Sequence, residues 1–469
     1  MLRLSKLAAS VLAVIVLISG GVPAGRSRSE AAWRKQGTDA VSAALAPTPP
    51  MGWNSYDCYG GDVNEQEVKS NADYMARHLA RYGWKYVVVD YYWYYANGTV
   101  AGVPSMDRYG RLLPDPKRFP SSVGGQGFRP LADYVHSKGL EFGIHIMRGI
   151  PRAAVEQNLP IFGTKAYARQ VVNLMNTASW SKAMHGVDVA KPAGQAYYDS
   201  IAQLYAEWGV DYIKADDMSQ AEDPYGELYH APEIAALRRA MTRTGRPMVL
   251  SLSPGPTSLS AAAHAERHSQ LWRISNDIWD NWQQVADQFG YCRLWAPYSG
   301  ANHWPDADML PLGRLQLRGF SLSGTFGKPH TTYLTNDEQR TLMTLWFIFR
   351  SPLMIGADLP SLDPFTLSLF TNAEVLEVNQ QSSGNHELFA RGEQIGWVAD
   401  ATLRGVKYVA LFNLADARPE KIRVSWAEIG LEGSCSVRDL WLRKQVGRHS
   451  GSFSAEIPPH GAGLYKIKQ

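Results

Sequence analysis

The sequence predicts a (β/α)8 TIM barrel followed by a C-terminal antiparallel β-sandwich, and three observations carry that prediction. From about Thr48 to Leu376, short apolar runs alternate with amphipathic stretches. Apolar runs separated by helices read as parallel strands buried on both faces. After about Gln380 the runs shorten, alternate between apolar and polar, and are divided by turn residues, as antiparallel sheets are. The length of 469 residues suits one large barrel plus a smaller module.

The N-terminus reads as a targeting segment. Arg3 and Lys6 precede an apolar run from Leu7 to Ile18, and Val22, Pro23 and Ala24 offer small residues for cleavage. That run is too short to span a bilayer. Residues 1–24 are therefore expected to be a signal peptide and 25–46, rich in Ala, Ser, Arg and Pro, a disordered lead. Setting these aside leaves 41 basic against 42 acidic residues, so the +3 formal charge of the whole chain belongs to the leader. Nothing in this balance calls for nucleic acid or an anionic membrane as partner. The expectation is a secreted or periplasmic protein, with homo-oligomerisation left open. Cys58, Cys292 and Cys435 lie far apart without metal-ligand spacing.

The barrel is expected over 47–380. Its strands are Met51–Ser55, Tyr86–Trp93, Glu141–Ile146, Asp211–Asp216, Pro247–Ser253 and Leu271–Asp277, with His303–Leu310 and Pro352–Asp358 as seventh and eighth. Between the first two, Val68, Ala72, Met75 and Leu79 recur at helical spacing; Tyr198, Ile201, Tyr205 and Trp208 do so before the fourth. The sandwich, 384–469, is expected to begin within QQSSG, Gln380 to Gly384. Its readable strands are Tyr408–Leu414, Lys421–Trp426, Ser436–Leu442 and Gly463–Lys468.

Active sites of such barrels lie at the C-terminal ends of the strands, and polar residues collect there in this sequence. Trp53 and Tyr56 end the first strand, and Asp90 closes the run YVVV. His145 lies in GIHIM, and Lys214 and Asp216 close DYIKAD. Arg273 and Asp277 lie on LWRISND, Asp306 and Asp308 on HWPDADML. Each has a structural alternative: Asp217 as a helix N-cap, His145 as a core residue, Arg273 as the partner of a nearby carboxylate. Convergence on one face favours a site. The Asp-x-Asp of HWPDADML lacks the further oxygen ligands of a calcium loop, and neither metal nor cofactor is expected.

Two carboxylates from different strands, with cations and aromatics around them, suit hydrolysis of a glycosidic bond. One attacks or stabilises the anomeric carbon and the other protonates the leaving oxygen. Lys214 points the same way along its strand as Asp216 and favours the anion there, so Asp216 reads as the nucleophile. Asp277, beside Asn276 and near Trp272 and Trp279, reads as the acid/base.

At these residues the chain resembles glycoside hydrolase family 27, the α-galactosidase or melibiase family. PPMGWNSY is similar to that family's PPMGWNSW, VDYIKADD to VDYLKYDN, NHWPDADMLPLG to GHWNDPDMLEVG and SPLMIGADL to APLIMSNDL. WRISND keeps the Arg-x-x-x-Asp spacing of the acid/base segment. The resemblance runs from about Pro47 to Gln469. It implies retaining hydrolysis through a covalent glycosyl-enzyme on Asp216, with Asp277 as acid/base. Trp53, Asp90, Tyr91, His145, Lys214, Ser253, Arg273, Asp308 and Met309 would line the sugar subsite. The departures bear on the sugar. The family's paired aspartates for the galactose O4 and O6 hydroxyls become Asp90 and Tyr91. The loop that selects the 2-substituent reads SLSPGP, Ser251 to Pro256. The Cys after KYDN becomes Met218, and the third-strand loop MRGIPR has no partner for it. The leading expectation is an α-galactosidase on a carbohydrate substrate. The same machinery on isomaltose, other α-glucosyl or β-L-arabinopyranosyl linkages is the first alternative, and a non-catalytic carbohydrate-binding protein the second.

Overall fold

The computed structural model describes residues 45–98, 102–176, 181–220, 229–318 and 328–469. The leader and nearly all of the lead expected from sequence fall outside them. Leu45 and Ala46 do not: Ala46 is buried, its N–H donates to Asn302 Oδ1 at 2.8 Å and its carbonyl accepts from Trp304 Nε1 at 2.9 Å. Leu45 packs with Ala46 against the lumen cluster of Tyr86, Tyr212 and Trp304.

The barrel strands are β1 (Met51–Asn54), β2 (Tyr86–Val89), β3 (Glu141–Met147), β4 (Tyr212–Asp216), β5 (Val249–Leu252), β6 (Leu271–Arg273), β7 (Trp304–Asp306) and β8 (Leu353–Ile355). They form one parallel sheet in the order β7-β6-β5-β4-β3-β2-β1-β8. The last gap closes just above β7. There the Leu310 N–H donates to Met354 O at 2.8 Å and Leu310 O accepts from Gly356 N at 3.0 Å. Most strands are shorter than the apolar runs that announced them: Asp90, Asp277 and Asp308 lie beyond the paired residues, whereas Lys214, Asp216, Arg273 and Asp306 stay in the ladder.

Alternation along the strands sorts side chains into two layers. Tyr86, Val88, Tyr212, Leu271, Trp304 and Met354 meet inside the lumen. Val87, Val89, Ile144, Ile213, Leu250 and Trp272 face the helices. Gly143 is a lumen position, where a Cβ would lie 2.9 Å from Val88 Cγ2 and 3.0 Å from Tyr212 Cβ, so only glycine fits between those neighbours. Continuing the two-residue step upward, the lumen positions are Asn54, Asp90, His145, Lys214, Asp216, Arg273 and Asp306. The chemistry sits on this layer.

The helices follow their patterns. α1 (Glu65–His78) starts at Asn64, whose side chain accepts from Glu67 N while the Glu67 carboxylate accepts from Asn64 N; it buries Val68, Ala72 and Met75. α2 is Arg129–Ser137. α3 (Pro192–Trp208) begins with proline, ends at Gly209 (φ 84°) and buries Tyr198, Ile201, Tyr205 and Trp208. α4 (Ala231–Arg243), α5 (Ala262–His268), α6 (Trp282–Trp295), α7 (Asn336–Phe349), α8 (Pro364–Phe370) and α9 (Ala373–Gln381) complete the ring. A small sheet of Ile150–Pro151, Val172–Asn173 and Met184–Val187, not expected from sequence, decorates the connection from β3 to β4.

The C-terminal unit has eight strands, twice the number read from sequence: β9 (Ser383–Arg391), β10 (Gln394–Asp400), β11 (Val406–Asn413), β12 (Glu420–Ser425), β13 (Ser434–Asp439), β14 (Lys444–Ser450), β15 (Ser452–Ile457) and β16 (Ala462–Lys468). Six form the sheet β9-β10-β11-β16-β13-β14, and β12 pairs with β15. Val409, Leu411, Ile422, Val424, Phe453 and Ile467 fill the space between the sheets. The unannounced edge strands β9 and β14 are largely exposed and polar, and their backbone ladders need no apolar signal. The strand expected to reach Leu442 ends at Asp439, because Trp441 turns onto the barrel, where its indole N–H donates to Thr344 Oγ1 at 2.9 Å.

Helix α7 joins the two units. Phe347 is fully buried, 6.0 Å from the Trp441 ring. His460 stacks on Trp282 with centroids 3.9 Å apart, and its two nitrogens meet Glu338 at 2.8 Å and Asp416 at 2.9 Å. Phe347→Ala is expected to cost about 3–5 kcal/mol through the cavity it leaves, measured as a lower midpoint in urea unfolding.

Candidate active site

Asp216 ends β4 at the top of the lumen. One carboxylate oxygen is 3.1 Å from His145 Nε2, and the other accepts the Asp217 N–H at 3.1 Å. His145 is wholly buried and stands between two carboxylates, with Asp90 Oδ1 at 3.9 Å. Asp90 is bound by the Lys214 ammonium at 2.9 Å and the Asn54 amide at 2.6 Å, both to Oδ2. Lys214 also lies 4.0 Å from Met309 Sδ and 5.9 Å from the Tyr56 ring centre. Four adjacent strands thus place Asn54, Asp90, His145, Lys214 and Asp216 in one contact chain.

A second group faces it from β6 and the loop after β7. Buried Arg273 binds Asp308 Oδ1 at 2.7 Å, Asp277 Oδ1 at 3.1 Å and Ser275 O at 3.1 Å. Asp308, in a left-handed conformation (φ 89°), uses its other oxygen to accept the Ile278 N–H at 2.8 Å. That bond fixes the backbone next to Asp277. The two catalytic candidates differ in exposure: the Asp216 side chain is 15% exposed and that of Asp277 63%.

The charges are set by these contacts. Burial alone would raise the Asp216 carboxyl, but the His145 hydrogen bond and charge, Lys214 and the Asp217 N–H together hold it down to about 2. Asp90 behaves likewise: burial opposes ionisation, and Lys214, His145 and Asn54 outweigh it, leaving its pKa below the usual carboxylate range. Burial works against the Lys214 charge, but Asp90, Asp216 and Asp308 raise its pKa. Asp308 moves upward, driven by burial and by Asp277 and Asp306 against the pull of Arg273. Asp90 and Asp308 are each tied to a cation by a close ion pair, whereas Asp216 is held ionised by hydrogen bonds and keeps an open side.

Aromatic rings close the walls. Tyr91, in a left-handed conformation (φ 35°), stacks on Tyr92 with centroids 3.7 Å apart and meets His145 edge-on at 5.4 Å. Tyr56 lies 5.7 Å from Tyr91 and 6.4 Å from Trp279. Burial raises the Tyr56 hydroxyl pKa, with contributions from Asp277, Asp90 and Asp216. Tyr56 thus lies within electrostatic reach of both catalytic candidates. Asn54 is an addition to the predicted subsite, and strand alternation from Gly52 was the signal available for it; Tyr56 was already read at the end of the first strand.

Two predicted residues stand differently. Trp53 is fully buried on the helix-facing layer, its indole N–H donating to Ala357 O at 2.7 Å, so it offers no face to a sugar. Alternation puts Asn54 in the lumen and Trp53 outside it. Ser253 is buried above β5; its N–H donates to Ala215 O at 2.9 Å and its carbonyl accepts from Met218 N at 2.8 Å. It braces the segment carrying Asp216. Nor is Asp217 a helix cap. It adopts φ 61° and pairs with buried Arg148 at 2.7 Å, while Arg148 also donates to the Asp217 carbonyl and Glu233. The Arg148 N–H in turn donates to Asp216 O at 3.0 Å. These bonds hold the chain on both sides of the Asp216 peptide.

The barrel matches the family described as alpha galactosidase A, melibiase, over residues 48–157 and 185–381, and residues 392–467 match the alpha galactosidase C-terminal β-sandwich domain. The chain belongs to glycoside hydrolase family 27. It is a glycoside hydrolase by that membership. Among solved structures, it is similar to a family 27 β-L-arabinopyranosidase from Geobacillus stearothermophilus, at 45% identity and TM-score 0.88. That match covers 91% of this chain and 98% of the other. A variant of that enzyme in complex with arabinose matches at 44% identity, TM-score 0.88, over 92% and 100% of the two chains. Alpha-galactosidase 3 of Arabidopsis thaliana is 31% identical over 91% of this chain and 83% of its own.

The Asp216 environment predicts a pH effect. A carboxyl depressed to about 2 contributes stability above its unfolded value of about 3.9, and loses it as pH falls through the folded one. If turnover needs the anion, the acid limb of kcat/KM stays low. His145→Ala removes a hydrogen bond that favours the anion, so the limb is expected to move to higher pH. Profiles recorded where both proteins remain folded check this.

Proposed function

We propose that the protein is an exported, retaining exo-glycosidase that removes terminal β-L-arabinopyranosyl units, with α-D-galactosides as slower substrates. The observation that carries the choice of sugar is Tyr91. β-L-arabinopyranose and α-D-galactopyranose share their ring configuration, and differ in the hydroxymethyl group that arabinopyranose lacks. Asp90, held by Lys214 and Asn54, keeps the carboxylate suited to the ring hydroxyl common to both. The neighbouring position, where the family resemblance implies a second carboxylate for O6, carries a phenol instead. One lost charge-assisted hydrogen bond weakens a galactoside by about 1.5–3 kcal/mol, and a ring stacked on Tyr92 takes up space there. The 45% identity to the Geobacillus arabinopyranosidase supports this reading, against 31% to the Arabidopsis galactosidase.

In the reaction, Asp216 attacks the anomeric carbon while Asp277 gives its proton to the departing glycosidic oxygen. The sugar is then an ester of Asp216. Asp277, now ionised, takes a proton from water, the hydroxyl adds to the anomeric carbon, and the Asp216 carboxylate leaves. Arg273 positions Asp277 and is itself anchored by Asp308. The anionic carboxylates around the ring favour the positive charge that develops on it. The same proposal takes residues 1–24 as the export signal.

Two experiments test it. With p-nitrophenyl β-L-arabinopyranoside and α-D-galactoside, Asp216→Ala is expected to abolish turnover. Asp277→Ala should lose roughly 10²–10⁴-fold where the leaving group needs protonation, with azide rescue forming a glycosyl azide of retained anomeric configuration. Tyr91→Asp should shift the arabinoside-to-galactoside ratio of kcat/KM toward galactoside by about tenfold or more, the lower end of one charge-assisted bond. Unchanged selectivity in that variant would remove Tyr91 as the determinant.

A further inference from the structure

Tied to the segment that carries Asp277 is an exposed aromatic surface that the reaction above does not use. Between β7 and α7 a two-stranded ribbon pairs Arg314–Leu315 with His330–Thr331. Just beyond it, Tyr333 lies parallel to the His330 ring, with centroids 4.3 Å apart and planes at 10°. The outer ring is free: Tyr333 is 72% exposed, an unusual setting for a large aromatic side chain. The inner ring is fixed. His330 Nδ1 meets Lys328 O at 2.9 Å and Nε2 meets Asp280 Oδ2 at 3.0 Å.

Asp280 ties this platform to the candidate acid/base. Its side chain is 7% exposed, and the oxygen that meets His330 also accepts the Tyr333 N–H at 2.7 Å. Asp280 follows Asp277 by three residues, so their Cα atoms are at most roughly 11 Å apart. Trp279, between them, packs 6.4 Å from Tyr56 on the wall of the site. Both segments are strand-to-helix connections on the catalytic face. The glycosidic oxygen must sit at Asp277, whose 63% exposed carboxyl opens outward. The remainder of a saccharide then lies on the outer side, toward the segment that Asp280 ties to Tyr333.

We infer that Tyr333, backed by His330, is the stacking platform for the leaving-group saccharide, making the protein selective for oligosaccharides over simple glycosides. Pyranose rings present C–H faces that pack against an aromatic face, whereas a phenol without a rigid backing loses side-chain freedom on binding. The stack removes that cost in advance. The ligand class is a neutral oligosaccharide with the sugar of the proposed function at its non-reducing end, so the inference rests on that reading.

The test uses the full-length protein with Asp216→Ala, so that ligands bind without turnover, with and without Tyr333→Ala. Calorimetric titrations use L-arabinose and a trisaccharide ending in a β-L-arabinopyranosyl unit. Tyr333→Ala is expected to weaken trisaccharide binding about tenfold, the order of one stacked aromatic contact, and to leave arabinose unchanged. Tyr333→Phe keeps the face and should bind as its parent does. Equal trisaccharide affinity with and without Tyr333, or an equal loss for both ligands, overturns the platform alone. Failure of arabinose to bind the Asp216→Ala parent overturns the functional reading and the platform with it.

Discussion

The catalytic end of this protein depends on the alternation of side chains along short parallel strands closed into a barrel. Alternation sends every second residue into the lumen, and closure makes those residues converge. Tyr86 and Val88 on β2, and Tyr212 on β4, fill the lower lumen with apolar bulk. The next steps on the same strands, Asp90, Lys214 and Asp216, reach the open end, where an ionic group can keep a partner and some access to solvent. A one-residue slip in either strand would turn Asp90, Lys214 and Asp216 toward the helices and bring apolar neighbours such as Val89 and Ala215 into the lumen.

Convergence also creates the electrostatic problem that the contacts solve. Several carboxylates share a small volume beside two cations, and a charge buried without a partner is costly. Asp90 with Lys214 and Asp308 with Arg273 are close pairs that also satisfy backbone or amide donors. Asp216 is stabilised differently, by His145 and a backbone N–H, and its side chain stays 15% exposed. Asp277 is tethered on one side only and stays exposed. A sheltered anion and an open carboxyl are the asymmetry that a nucleophile and a proton donor require.

Rigidity around Asp216 is provided by charge. The left-handed turn at Asp217 is held by Arg148, which also grips Glu233; Glu233 accepts from the Tyr198 hydroxyl and the Val187 N–H. Sequence reading weighed Asp217 as a helix cap, but the next described helix begins only at Ala231. Nothing local to VDYIKADD identifies a partner on another strand's loop.

Sequence by itself determined the class of fold, the order of the barrel strands and the residues at their upper ends. Those properties follow from apolar periodicity and from the chemistry of DYIKAD, LWRISND and HWPDADML, which are local. Tertiary structure alone decided which polar residues face the lumen, moving Trp53 out and Asn54 in, because that depends on where each strand's register begins. It alone supplied the edge strands Ser383–Arg391 and Lys444–Ser450, whose pairing is carried by backbone groups common to every residue. It alone set Tyr333 on His330 and bound both to Asp280, since contacts between residues some fifty positions apart leave no mark on local pattern.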